Sequence, residues 1–267
     1  IGRFLLEQVR KRVDDAEDDS LKSMRALAQA LWQAHGSAFS HTDGLDVMSM
    51  APLYLNSWPG SLALYWLTEI DRRWRQNRDD WVGLNEEEHA SLAQLLVGPP
   101  HALDATRPAL ASQLFFLFAA DAEFASAHLL PLFSDAEGAA LVWNAFLYHP
   151  RYNDKLLAAG LMGALVAQWD RLEEIGDEMI RQQFFGVSAS VASFAGITDD
   201  ERQALLDRSV LSEDGAYAER FAEATIRFLG AERVDGAAVW EHWLRAHITD
   251  RLNGVPRNAS PEELACW

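Results

Sequence analysis

The sequence predicts an all-α protein of stacked helical hairpins, and three observations carry that expectation. The aliphatic residues are 41 Ala and 36 Leu against 13 Val and 7 Ile, a balance that favours helices over the β-branched packing of sheets. Apolar positions recur every three or four residues, the spacing of one helix face. Small polar residues followed by acids recur along the chain, and they supply acceptors and negative charge to the free N–H groups of a first helical turn.

Taken in order, Phe4, Leu5, Val9 and Val13 form the first stripe, and Ser20 marks the next helix start. Ser57 with Pro59 opens a helix whose stripe is Leu62, Tyr65, Trp66, Glu69, Ile70 and Arg73, so charged residues edge its apolar face. Further starts are Asn85 before three glutamates, Ser134 before Asp135 and Glu137, Thr198 before Asp199, and Ser260 before Pro261 and Glu262. The Ser134 start leads into a stripe of Leu141, Val142, Ala145 and Phe146. Joints fall at Gly98-Pro99-Pro100, His149-Pro150, Gly196, Gly230 and Gly254-Val255-Pro256.

This pattern predicts roughly ten or eleven helices with a hairpin interval of about 40 residues, giving a HEAT-like α-solenoid or an irregular α/α superhelix. VWNAFLYHP from Val142 and VWEHWLRAH from Val239 are its faint internal echo, and Trp240, Trp243 and Leu244 are expected to share one buried face. The chain reads as a single helical domain over 1–267 with a subdivision point near 98–106. The stretch His35 to Asn56, with Gly36, Gly44 and Pro52, is the candidate hinge or functional loop.

Charge narrows the function. Forty Asp and Glu against 23 Lys and Arg give a net charge of −17, which disfavours a nucleic-acid partner because phosphate affinity comes chiefly from basic residues. The single cysteine, Cys266, cannot form an internal disulfide, so a reducing cytoplasm is expected. The longest apolar run, Leu156 to Ala167, falls short of the roughly 18 to 20 residues of a membrane span. The chain opens at Ile1, inside a helical pattern and without Met, and stops just after a fresh helix start. It therefore reads as a piece of a longer polypeptide.

Chemistry-bearing motifs are few. DDAED places Asp14, Asp15 and Asp18 in the DDxxD pattern with which all-α prenyl synthases and terpene cyclases gather Mg²⁺ around a diphosphate. This Mg²⁺-diphosphate enzyme is the alternative reading, set against a solvated helix end. His242 and His247, five apart, diverge on a helix, and His35 and His41 lack partners at metal-ligand spacing, so no metal site is expected from them. The sequence has no Gly-x-Ser-x-Gly elbow, P-loop or Gly-x-Gly-x-x-Gly turn, so no catalytic residues and no cofactor are assigned. Ser188, Ser190 and Ser193 read as small residues for close helix packing.

The densest positive run is RRWRQNR. Arg72, Arg73, Trp74, Arg75 and Arg78 are the candidate partner-binding residues, since clustered Arg and Trp are the material of protein-binding hot spots. The plainer reading is a helix end that favours cations. The expected partner is another protein or another domain of the same polypeptide, with a homo-oligomer also open.

The stretch Ala238 to Trp267 resembles the end of a helical domain that follows an N-terminal sirtuin-like module in bacterial antiphage defence proteins. The matching residues are Trp240, Trp243, Leu244, Arg251-Leu252-Asn253-Gly254, Pro256, Glu262-Glu263-Leu264 and Trp267; VWNAFLYHPRYNDKLL is similar in character to an earlier segment of that domain. The resemblance implies an upstream module that consumes NAD and a helical region that senses an infection signal or restrains the enzyme.

Overall fold

A computed structural model describes residues 1–12, 18–39, 51–176, 178–211, 216–231 and 234–267. About 80% of these residues are helical, and there is no strand among them. The protein is all-α. Its contacts divide into two compact units, Ile1–Arg151 and Tyr152–Trp267. The Gly98-Pro99-Pro100 joint therefore lies inside the first unit, where it leads into a helix.

The first unit contains α1 (Gly2–Arg10), α2 (Asp19–His35), α3 (Ala51–Asn56), α4 (Trp58–Gln76), α5 (Glu86–Leu96), α6 (Pro100–Ala111), α7 (Leu114–Ala120), α8 (Ala122–Phe124) and α9 (Ala139–Leu147). Helix α4 is its hub, packing on α1, α3, α5 and α6. The expected stripe explains why: Leu62, Tyr65 and Ile70 are fully buried and Trp66 nearly so. Burying a large apolar side chain is worth about 1.5–3 kcal/mol, so this face alone outweighs any single cap. Ser57 caps α4 by accepting from the Gly60 N–H at 3.2 Å. Gly60 lies against the Tyr54 carbonyl, where a Cβ has no room. Asn85 and Glu88 form a reciprocal capping box at α5.

Two starts differ from expectation. Asp18, rather than Ser20, caps α2 through the Leu21 N–H at 2.9 Å. Ser134 ends a short 3₁₀ segment, and α9 begins only at Ala139 after Gly138. Asp135 instead ties back to Arg107 at 2.9 Å.

The second unit contains α10 (Asp154–Leu156), α11 (Met162–Gln168), α12 (Glu178–Phe194), α13 (Asp199–Leu211), α14 (Ala216–Leu229), α15 (Gly236–Val239), α16 (Arg245–Leu252) and α17 (Pro261–Cys266). Here α14 gathers α12, α13 and α17. Phe221 of α14 meets Trp169, whose ring also packs against Phe184 and Phe185 of α12. Ser188, Ala189, Val191 and Ala192 are all buried on α12, the close packing expected of that small-residue run.

Helices α8, α10 and α15 share one construction. Each is capped by an Asx side chain (Asp121, Asn153 or Asp235) and passes after a single turn into a five-residue π-turn, the one after α10 being kinked at Gly160, φ 137°. A π-turn bonds i to i+5 and so carries one residue more than an α-turn. Trp240 is the first residue of one such turn. Val239, Trp243 and Leu244 are buried like Val142, Phe146 and Leu147, but Trp240 is 41% exposed while Trp143 is fully buried. The expected burial of Trp240 is thus corrected: α9 is buried at every position from Val142 to Leu147, whereas here only Val239, Trp243 and Leu244 are covered and Trp240 stays on the open side with Glu241 and His242.

Candidate functional site

The arginine run occupies the last turns of α4 and the short Arg78–Asp80 turn beyond it. At 100° per residue, Glu69, Arg72, Arg73 and Gln76 fall on one face, and Leu64, Thr68, Asp71 and Arg75 on another about 120° away. The helix therefore splits the run between two grooves of the first unit.

The first groove, about 360 Å³, is bordered by α4 together with Lys22 and Arg25 of α2 and by Asn85, Glu87 and Glu88. Its charges are matched internally. Glu69 and Arg72 are each only 2% exposed. Glu69 Oε2 accepts from Arg72 Nη2 at 3.1 Å and from Arg25 Nη1 at 3.4 Å. Arg72 also donates to Gln76 Oε1 at 3.1 Å, and Arg25 pairs with Glu87 at 3.1 Å. Arg73 grips Glu88 with Nε at 2.8 Å and Nη2 at 2.5 Å, donates to the Gly83 carbonyl, and lies 4.1 Å above the Trp81 ring. The partly buried Arg25 and Arg73 thereby tie α4 to α2 and α5, while the buried Arg72 bonds within α4. Beneath them, Glu69 Oε1 and the Tyr65 hydroxyl have no hydrogen-bond partner among the described residues. Burial first, then the Glu69 charge, raises the Tyr65 pKa far above its usual value.

Trp74 stacks between Trp81, at 5.3 Å, and Phe116, at 5.5 Å. Trp81 Nε1 donates to the Ala120 carbonyl at 2.8 Å, which locks the stack.

The second groove lies on the Arg75 face and has two lobes. One, about 310 Å³, is walled by Phe115, Phe116, Phe146 and His149. The other, about 430 Å³, is walled by Arg10, Thr68, Asp71 and Arg75. Gln113, Phe116 and Arg151 border both. Arg75 is 60% exposed and pairs with Asp71 at 2.8 Å, while Arg10 and Arg151 are exposed. Of the five sequence candidates, then, Arg72 and Arg73 face one groove, Arg75 the other, and Trp74 is part of the wall material. Arg78 is exposed past the helix end.

Other candidates fall elsewhere. Asp14 and Asp15 lie outside the described residues, as do positions 40–50 of the loop. Asp18 is occupied as the α2 cap and as the partner of Arg12. The Leu21 N–H and the Arg12 side chain hold its carboxyl below the usual range. Among the described residues, Glu219, Glu223 and Cys266 bring ligand atoms within 4.8 Å of one another. Arg220 already pairs with Glu223 at 3.4 Å, and burial followed by the two carboxylate charges raises the Cys266 pKa.

The residues that carry the sirtuin-associated resemblance form a structural staple. Arg251 meets Glu263 through two bonds, 2.6 and 2.7 Å, and its third nitrogen donates to the Val255 and Arg257 carbonyls. Gly254 supplies the left-handed turn, at φ 74°, that carries the chain back. His247 is wedged between the rings of Trp243, at 5.8 Å, and Trp267, at 5.5 Å. Twelve residues and a chain reversal separate Arg251 from Glu263, so their pairing is set by the turn at Gly254 and not by local spacing.

Fold and grooves together define an all-α protein of two helical units, with a polar-aromatic groove on the surface of the first. Comparison with family models, curated proteins and solved structures finds no match for this chain. Among the described residues no helix is long and apolar enough to cross a membrane.

Proposed function

We propose that this chain is a non-catalytic interaction or sensor module of a larger cytoplasmic polypeptide, and that the Arg75 groove is its contact site. The observation that supports this best is the convergence of Arg10, Arg75 and Arg151 on an aromatic floor in a chain of net charge −17. Exposed arginines beside aromatic rings are suited to recognition. The one hydroxyl–imidazole combination in the groove does not read as a nucleophile and base, because Ser112 Oγ donates to the Ala109 carbonyl at 2.7 Å.

The sirtuin-like resemblance implies, for this reading, a module downstream of an NAD-consuming enzyme in a bacterial defence protein, acting as sensor or restraint. Its partner is then that enzyme module or an activating protein. The test is a pull-down of the chain against a separately expressed sirtuin-like module, with NAD turnover measured alongside. Arg75→Glu combined with Arg151→Glu should weaken association without lowering the melting temperature. Undiminished association would remove the groove from this role. The alternative, a Mg²⁺-diphosphate enzyme at Asp14, Asp15 and Asp18, predicts calorimetric uptake of Mg²⁺ with pyrophosphate that is lost in Asp15→Asn.

A further inference from the structure

We infer that the Arg75 groove is a nucleotide site, taking a base in its aromatic lobe and phosphates in its arginine lobe; this rests on the reading of the chain as a sensor module. The two lobes differ in chemistry and share a wall, which a bipartite ligand requires. Phe115 and Phe116 are half-buried, so part of each ring is open to the lobe, and Phe146 closes the floor. Phe116 is backed by the Trp74–Trp81 stack and cannot swing away without breaking it. A fixed ring with one open face accepts any planar base by stacking.

Phosphate recognition falls to the arginine lobe. Guanidinium groups bind phosphate through paired N–H donors. Asp71 holds the Arg75 guanidinium at 2.8 Å and so fixes its orientation in advance. Arg10 and Arg151 enter from the end of α1 and from beyond α9, so among the described lining residues three positive charges face one carboxylate. Gln113, on the shared wall, stands where a sugar would bridge base and phosphate. Lobes of about 310 and 430 Å³ lie within the range of small-ligand sites, roughly 300–1,000 Å³. The other groove offers no comparable site for an anion, since its arginines are already matched by Glu69, Glu87 and Glu88.

The experiment titrates ADP into the whole chain by calorimetry, with tryptophan emission as a second readout because Trp74 backs Phe116. Adenosine, pyrophosphate and a single-stranded oligothymidylate are titrated in parallel. ADP should bind at least tenfold more tightly than adenosine or pyrophosphate, and more weakly as salt rises. Arg151→Glu and Arg10→Glu, at exposed positions, should each reduce ADP affinity tenfold or more with melting unchanged, and Phe115→Ala should reduce it similarly. Pyrophosphate binding equal to ADP would overturn the inference in favour of a simple anion site. Binding of the oligonucleotide alone, or no ADP binding at millimolar concentration, would overturn it too. In those cases the pull-down decides the module reading separately: association that is still sensitive to Arg75→Glu with Arg151→Glu leaves that reading in place.

Discussion

In the second unit, the buried Arg251 guanidinium meets Glu263 through two parallel bonds, and its remaining nitrogen is taken up by two backbone carbonyls. In the first unit, Glu69 is equally buried, yet two arginines compete for its Oε2 while Oε1 bonds to nothing. Both arginines there have a second acceptor, Gln76 for Arg72 and Glu87 for Arg25. One arrangement is a closed pair on which a chain reversal depends; the other is a shared network with redundancy. Removing a partner from a buried charge is costly when it is the sole partner and less so when the charge is shared, so the same residue types serve as a single staple in one unit and as a shared network in the other.

The sharpest way to break this comparison is to remove each carboxylate. Glu263→Ala strands a buried guanidinium and should cost about 3–5 kcal/mol. Glu69→Ala leaves both arginines with alternative acceptors and should cost less, about 1–3 kcal/mol. Urea unfolding of the whole chain measures both, and equal losses would refute the distinction between staple and network. The second unit also contains the paired test of packing. Trp243→Ala, at a 5% exposed position, should cost about 3–5 kcal/mol, whereas Trp240→Ala should stay below about 1 kcal/mol.

Acid titration sharpens the comparison further. Among the described residues His247 is the only buried histidine. Burial first, then the Arg251 charge, lowers its pKa from 6.5 to about 4. The folded protein therefore keeps it neutral while the unfolded chain takes up a proton, so stability falls as pH drops from about 6.5 to about 4. The loss is on the order of 3 kcal/mol at about 1.4 kcal/mol per pH unit. Glu263 adds to it at lower pH: burial raises its pKa, but the Arg251 hydrogen bonds and charge outweigh that and hold it below the usual range. His247→Gln should flatten the profile above pH 4.5, as followed by melting temperature, and an unchanged slope would locate the titration elsewhere. A small local effect is expected at the start of α2: Asp18→Ala removes its cap and should cost about 1 kcal/mol.

The sequence disclosed the fold class and most of the caps because both are written in neighbouring residues. Ser57, Asn85 and Ser260 act where their contexts place them. Ser20 did not, because Asp18 two positions earlier offered a charged acceptor. The arginine run was visible as a cluster, but a cluster of letters does not say which way each side chain faces. Glu69 was the overlooked clue: a carboxylate inside an apolar stripe must find a cation, and that requirement turns Arg72 inward. The groove itself was illegible for a different reason. Arg10, Arg75, Phe116 and Arg151 are separated by dozens of residues, and only the packing of α1, α4 and α9 within the first unit assembles them.

The three π-turns also bear on how such a chain tolerates length change. A π-turn carries a surplus residue, so deleting one position within Trp240–Leu244 should leave an ordinary helix rather than a broken one. The same deletion in α4 would shear its whole apolar stripe away from α1 and α6. Ungapped, Val142–Leu147 and Val239–Leu244 still pair buried positions at both ends, and only the three between them, Trp143–Ala145 against Trp240–His242, change from buried to exposed.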